Sequence, residues 1–153
     1  MTTLDRLDAD LTAAMKARDT TRTGTLRQAI GAVRAEAKAG PAARDLSEDD
    51  VLAVLAREVK KRRESAQIYT DAGAADRAAT ETAEADLIAT YLPAAPTGEE
   101  LAALVRTVVD ELDATSPKDM GRVMKEVSAR AGRGADGRTL STLVREELAA
   151  RAS

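Results

Sequence analysis

With 153 residues, the chain has room for one domain or two small ones and enough length to bury a core. Aromatic residues make up 1 % of it, Tyr69 and Tyr91 being the only rings, and cysteine and histidine are absent. That excludes disulfides, thiolate catalysis, zinc–sulfur sites and the commonest general base, while a formal net charge of −3 argues against strong indiscriminate attraction to nucleic acid.

A core without rings must be built from Leu, Val, Ile, Met and Ala. Strands favour β-branched and aromatic residues and Ala is the strongest helix former, so the composition predicts an all-α protein. The N-terminus, Met-Thr-Thr-Leu-Asp, is not a basic region followed by an apolar run, and no later stretch approaches a membrane span. The expectation is a soluble cytoplasmic protein without a membrane partner.

A first helix is expected from Thr2 or Thr3, with Leu4, Leu7, Leu11 and Met15 on its apolar stripe, ending near Arg18-Asp19 in a polar stretch that holds Thr20, Thr21 and Thr23. A second carries Leu26, Ile30, Val33 and Ala37 and is stopped by Gly40-Pro41. The longest helix spans about residues 46–69, opened by a Ser47/Asp50 capping box with Leu46 packing on Val51, and carries Val51, Leu55 and Val59 on one face. Asp71-Ala72-Gly73 breaks it. A fourth helix, about 75–91, turns Leu87, Ile88, Tyr91 and Leu92 inward and Glu81, Glu84 and Asp86 to water.

Leu92-Pro93-Ala94-Ala95-Pro96-Thr97-Gly98 is the clearest boundary, because two prolines within four residues favour a stiff, extended connection. A Thr97/Glu100 capping box then opens a fifth helix with Leu101, Leu104, Val105, Val108 and Leu112 apolar. Ser116 as N-cap and Pro117 at the first helical position start a sixth, which buries Met120, Val123, Met124 and Val127. After a Gly-rich loop capped by Asp136, a seventh carries Leu140, Leu143, Val144 and Leu148. The expected architecture is a four-helix N-terminal domain over residues 1–92, a Pro-containing linker at 93–98 and a three-helix C-terminal domain over 99–153.

Residues 132–137 spell the dinucleotide fingerprint Gly-x-Gly-x-x-Gly, and residues 132–139 nearly match a phosphate loop with Arg138 in place of lysine. Both motifs need a strand before the glycines and a parallel sheet behind them. Here an amphipathic helix precedes, so both matches are rejected. Lys60-Lys61-Arg62-Arg63 is the densest basic run, but four consecutive helical residues point around most of the circumference. Glu58 and Glu64 are spaced to pair with Arg62 and Lys60. The run reads as a solvated, salt-bridged face or, alternatively, as a face for a protein partner.

The C-terminal third is more informative. Between Lys118 and Arg145, seven cations (Lys118, Arg122, Lys125, Arg130, Arg133, Arg138 and Arg145) stand against Asp119, Glu126 and Asp136, a local net charge of +4. Lys118, Arg122 and Lys125 share a helix face by spacing, the glycine loop adds Arg133 and Arg138, and the start of the sixth helix offers backbone amides to an anion. These are the residues expected to contact phosphate, although no ring is at hand to stack a base. For catalysis the inventory is thin. Ser65, Thr70, Ser116 and Ser141 have no histidine to activate them, and no acid spacing suggests a metal site. The residue content predicts a binding protein with no catalytic residue, cofactor or metal.

Five stretches resemble the GatB/YqeY domain family, in that family's order and over essentially the whole chain: Ala14-Met15-Lys16-Ala17-Arg18-Asp19, Arg57-Glu58-Val59-Lys60-Lys61-Arg62-Arg63-Glu64-Ser65, Tyr91-Leu92-Pro93, Ser116-Pro117-Lys118-Asp119-Met120-Gly121-Arg122-Val123-Met124 and Gly132-Arg133-Gly134-Ala135-Asp136-Gly137-Arg138. The length is similar to that of the free-standing YqeY type. The resemblance implies an all-helical, two-part fold and kinship with the C-terminal tail of the aspartyl/glutamyl-tRNA amidotransferase B subunit, a tail that helps hold the tRNA body. The function expected is a non-catalytic accessory protein associated with tRNA or other RNA. The alternatives are a protein-interaction module working through the central basic helix and an accessory to carbon–nitrogen ligation with glutamine as amido donor.

Overall fold

The structure is a computed structural model that describes residues 1–132 and 135–153. Among the described residues there are seven α-helices, one short 3-10 turn and no strand. The chain divides into two compact units, Met1–Leu92 and Pro93–Ser153, each with its own apolar cluster.

In the first unit, α1 (Thr3–Lys16) opens with a reciprocal cap, in which the Asp5 amide donates to Thr2 Oγ1 at 3.1 Å and the Thr2 amide to the Asp5 carboxylate at 3.0 Å. It ends in a Schellman motif. The Asp19 amide reaches back to the Ala14 carbonyl, the Arg18 amide to that of Met15, and Arg18 takes the left-handed conformation at φ 57°. Asp19 then caps α2 (Thr20–Ala37) by accepting from the Arg22 amide. The polar stretch expected to separate the two helices is therefore the first turn of α2, with Thr23 and Thr25 buried. On α1 the stripe is Leu7 and Ala14 flanked by Leu4 and Leu11, whereas Met15, expected in the core, is 50 % exposed.

The long α3 (Glu48–Asp71) carries the expected Ser47/Asp50 capping box, and Leu46 and Val51 join the same cluster. It ends in a second Schellman motif with Gly73 at φ 75°, where a glycine avoids the clash a Cβ meets in the left-handed region. The next helix, α4 (Ala75–Ala89), lies along α3, and Leu7, Leu26, Leu55 and Ile88 interlock where the four helices meet. Tyr91, just beyond α4, is buried too.

In the second unit, Thr97 caps α5 (Gly98–Glu111) by accepting from the Glu100 amide, but Glu100 makes no return bond, so only half of the expected box forms. Leu101, Val105, Val108 and Val109 are its buried face, with Leu104 and Leu112 at the margin. Ser116 leads into a 3-10 turn, Pro117–Asp119, that runs directly into α6 (Met120–Ala131). Asp136 caps α7 (Gly137–Ala152), whose Leu140, Val144 and Leu148 close the core against Val123 and Val127. On α6, Met120 and Met124 are half-buried at the edge of that cluster rather than inside it.

Candidate nucleic-acid interface

The cations of the C-terminal unit differ in how they are held, and Arg106 and Arg145 have no ion pair among the described residues. Arg122 is committed to the fold: its guanidinium meets Asp119 at 3.1 Å and donates to the Leu112 carbonyl at 2.9 Å, closing the C-terminal end of α5. Arg130 is held by Glu111 at 2.6 Å and Glu126 at 2.8 Å, and Arg151 by Asp110 and Glu147. By contrast, Lys118, Lys125 and Arg138 are exposed and carry no ion pair among the described residues. Arg133, expected beside them, lies outside the described residues. Lys118 sits in the 3-10 turn, Lys125 in the second turn of α6 and Arg138 in the first turn of α7, which packs against both.

The start of α6 already carries a fixed carboxylate. Asp119 Oδ2 accepts from the Thr115 and Ser116 amides at 2.9 and 3.3 Å, and those backbone donors, first that of Thr115, hold its carboxyl below the ordinary range. A fixed carboxylate there repels a second anion. The basic side chains, not the helix terminus, are what this end of the unit presents. The glycine-rich stretch follows α6 rather than a strand, and Asp136 is occupied in accepting from Thr139 Oγ1 and the Arg138 amide.

The basic run of α3 forms the expected Glu58–Arg62 and Lys60–Glu64 pairs, but Arg62 is not on the solvated face. Arg62 is 6 % exposed, and its guanidinium donates to Glu58 at 2.6 Å, Gln28 at 2.7 Å and Glu84 at 3.3 Å, joining α2, α3 and α4. Glu84, expected to face water, is half-buried in this network. Arg63 pairs with Asp86 at 3.0 Å and Lys60 stands 4.0 Å from Glu64, which leaves Lys61 exposed and without an ion pair among the described residues. Arg62 is therefore an internal tie and not part of a docking surface. A signal for this lay in the spacing: Val51, Leu55, Arg62 and Ala66 follow one helical stripe, so the arginine falls on the buried side.

No group of acidic side chains among the described residues is placed to hold a metal ion, and no helix among them is long and apolar enough to cross a membrane. Fold and site together define an all-helical, two-unit chain that presents unpaired cations on its second unit. The chain matches the family model described as Yqey-like protein over residues 4–148, and it belongs to that family. No curated protein matches it.

Proposed function

We propose that this chain is a cytoplasmic, non-catalytic accessory protein that associates with tRNA or another structured RNA through Lys118, Lys125 and Arg138, with the two units acting as separate domains joined through residues 93–98. One observation carries the reading: these three cations have no ion pair among the described residues and lie on neighbouring elements, whereas Arg122, Arg130 and Arg151 are neutralised by Asp110, Glu111, Asp119, Glu126 and Glu147. Unpaired, exposed cations are the groups that displace counterions from a phosphate backbone. The resemblance to a tRNA-holding tail supports the choice of RNA.

The test is tRNA binding by fluorescence anisotropy across a salt series. Three phosphate contacts predict a slope of log affinity against log salt of about three. Replacing Lys118, Lys125 and Arg138 together by Ala is expected to remove most of that slope. Unchanged affinity and slope in the triple variant would overturn the reading.

A second reading is favoured by Ile68, which is 67 % exposed on α3 seven residues after Lys61 and therefore on the same helix face. A protein partner could seat on that pair. Reproducible capture of one protein that is lost on Ile68→Asp would support it.

A further inference from the structure

At the corner between α1 and α2, a pocket of about 470 Å³ is lined by Met15, Arg18, Thr20, Thr23, Gly24 and Arg27. Thr20, Thr23, Gly24 and Arg27 are spaced i, i+3, i+4 and i+7, so they form one face over the first two turns of α2. Met15 and Arg18 come from the end of α1 and the turn behind it. Neither Arg18 nor Arg27 has an ion pair among the described residues, and Arg27 makes only a 3.7 Å contact to the Met15 sulfur.

The decisive group is Thr23. It is 8 % exposed, yet its hydroxyl has no hydrogen-bond partner among the described residues. No fully occluded side-chain polar atom there lacks a partner, so this hydroxyl is open to solvent on a residue that lines the pocket. Open to solvent, it can exchange a water for a ligand oxygen. Gly24 adds room, since a Cβ built there meets nothing within 4 Å. No acid lines the pocket, and Asp19, next to Thr20, is turned to cap α2 through the Arg22 amide at 3.0 Å.

We infer that this pocket binds a phosphoryl group. Two guanidiniums supply charge and paired donors and the Thr23 hydroxyl a further donor, while the Asp19 cap already engages the start of α2. Met15 offers an apolar wall to whatever the phosphoryl group is attached to. The site belongs to the first unit and does not rest on the RNA contacts proposed for the second.

The experiment is titration of the isotope-labelled full chain with inorganic phosphate and pyrophosphate at constant ionic strength, followed by amide NMR shifts. Saturable shifts are expected at Thr20, Thr23 and Gly24. Combining Arg18→Asn, which tolerates the left-handed backbone, with Arg27→Gln is expected to weaken pyrophosphate binding roughly tenfold or more, and Thr23→Val a few-fold. Gly24→Leu, whose Cβ meets nothing within 4 Å and whose side chain enters the pocket, is expected to abolish it. Shifts that never saturate, or equal affinity in all three variants, overturn the inference. Addition of tRNA separates two sources of the same chemistry, since displacement of pyrophosphate assigns the phosphoryl group to nucleic acid and simultaneous binding assigns it to a small phosphate ester. Loss of RNA binding on changing Lys118, Lys125 and Arg138 leaves this pocket's affinity unchanged, so the two readings fail separately.

Discussion

The Tyr91 hydroxyl donates to the Asp10 carboxylate, joining the chain just beyond α4 to the middle of α1 across 81 residues of sequence. The Arg6 guanidinium covers the same ring at 5.2 Å from its centre. One of only two rings in the chain thus fixes α1 to the far end of its own unit, next to the residue where the two units divide.

Removing that hydroxyl tests its contribution. Tyr91→Phe keeps the buried ring and the cation above it but strands the half-buried Asp10, and is expected to cost about 1–2 kcal/mol, read from urea unfolding. Burial, then the bond to Asp10, pushes the Tyr91 hydroxyl up to about 12 from the ordinary 10. With the folded value above the unfolded one, the native state holds its proton more tightly. The stabilisation is complete below pH 10 and is lost as pH rises toward 12. Tyr91→Phe removes this alkaline dependence, so a variant that still loses stability over that interval contradicts the assignment.

Arg62 is the second internal tie. Arg62→Ala leaves Glu58 and Glu84 partly buried and facing each other without a cation, and is expected to destabilise the first unit by about 3–5 kcal/mol. Arg62→Lys recovers little, because an ammonium cannot span Glu58, Gln28 and Glu84 as the forked guanidinium does. Replacing Arg62, Glu58 and Glu84 together by apolar residues of similar volume is expected to restore most of the loss. Thermal melts of the three variants check the order, and a tolerant Arg62→Ala rejects it.

On the acid side, the carboxylates at the helix starts matter, Asp136 among them, held low by Thr139 and the Arg138 amide. Backbone donors from Thr2, Ser47 and Thr115 hold Asp5, Asp50 and Asp119 below the ordinary carboxylate value. Folded values below unfolded ones mean stability that is present above about pH 4 and lost as pH falls through the depressed values. Ser47→Ala and Asp50→Asn, which dismantle the cap of α3, are expected to raise the acid midpoint of unfolding followed by circular dichroism.

What could be read from the sequence follows from how local each device is. Ser47 and Asp50 lie three residues apart, so their reciprocal bonds depend on the backbone alone and the cap was legible. The buried stripes of Leu26, Ile30 and Val33 and of Leu140, Val144 and Leu148 follow the helical period and were legible for the same reason. Met15 satisfied the period as well, yet it sits where α1 is already ending and stays half exposed. Arg62 was misplaced because its charge argued for the surface while its neighbours on α2 and α4 were unknown. The basic segment was visible as a count, but which cations remain unpaired depends on Asp119, Glu111 and Asp110 across the unit. The pocket at Thr23 needs two helices and the turn between them, and no spacing in one helix announces it.

Arg18 allows that last site to be tested through stability alone. It occupies the left-handed position that Gly73 fills at the end of α3, and a side chain there is strained by roughly 1–2 kcal/mol. Arg18→Gly relieves the strain at the cost of a more flexible unfolded chain, so the variant is expected to be up to about 1 kcal/mol more stable than the parent. An arginine kept at this corner against the backbone preference fits a side chain retained for its charge. The opposing result is as informative. If Arg18→Gly lowers the melting temperature, the guanidinium is supporting the fold itself, and its place in a phosphoryl pocket loses its rationale.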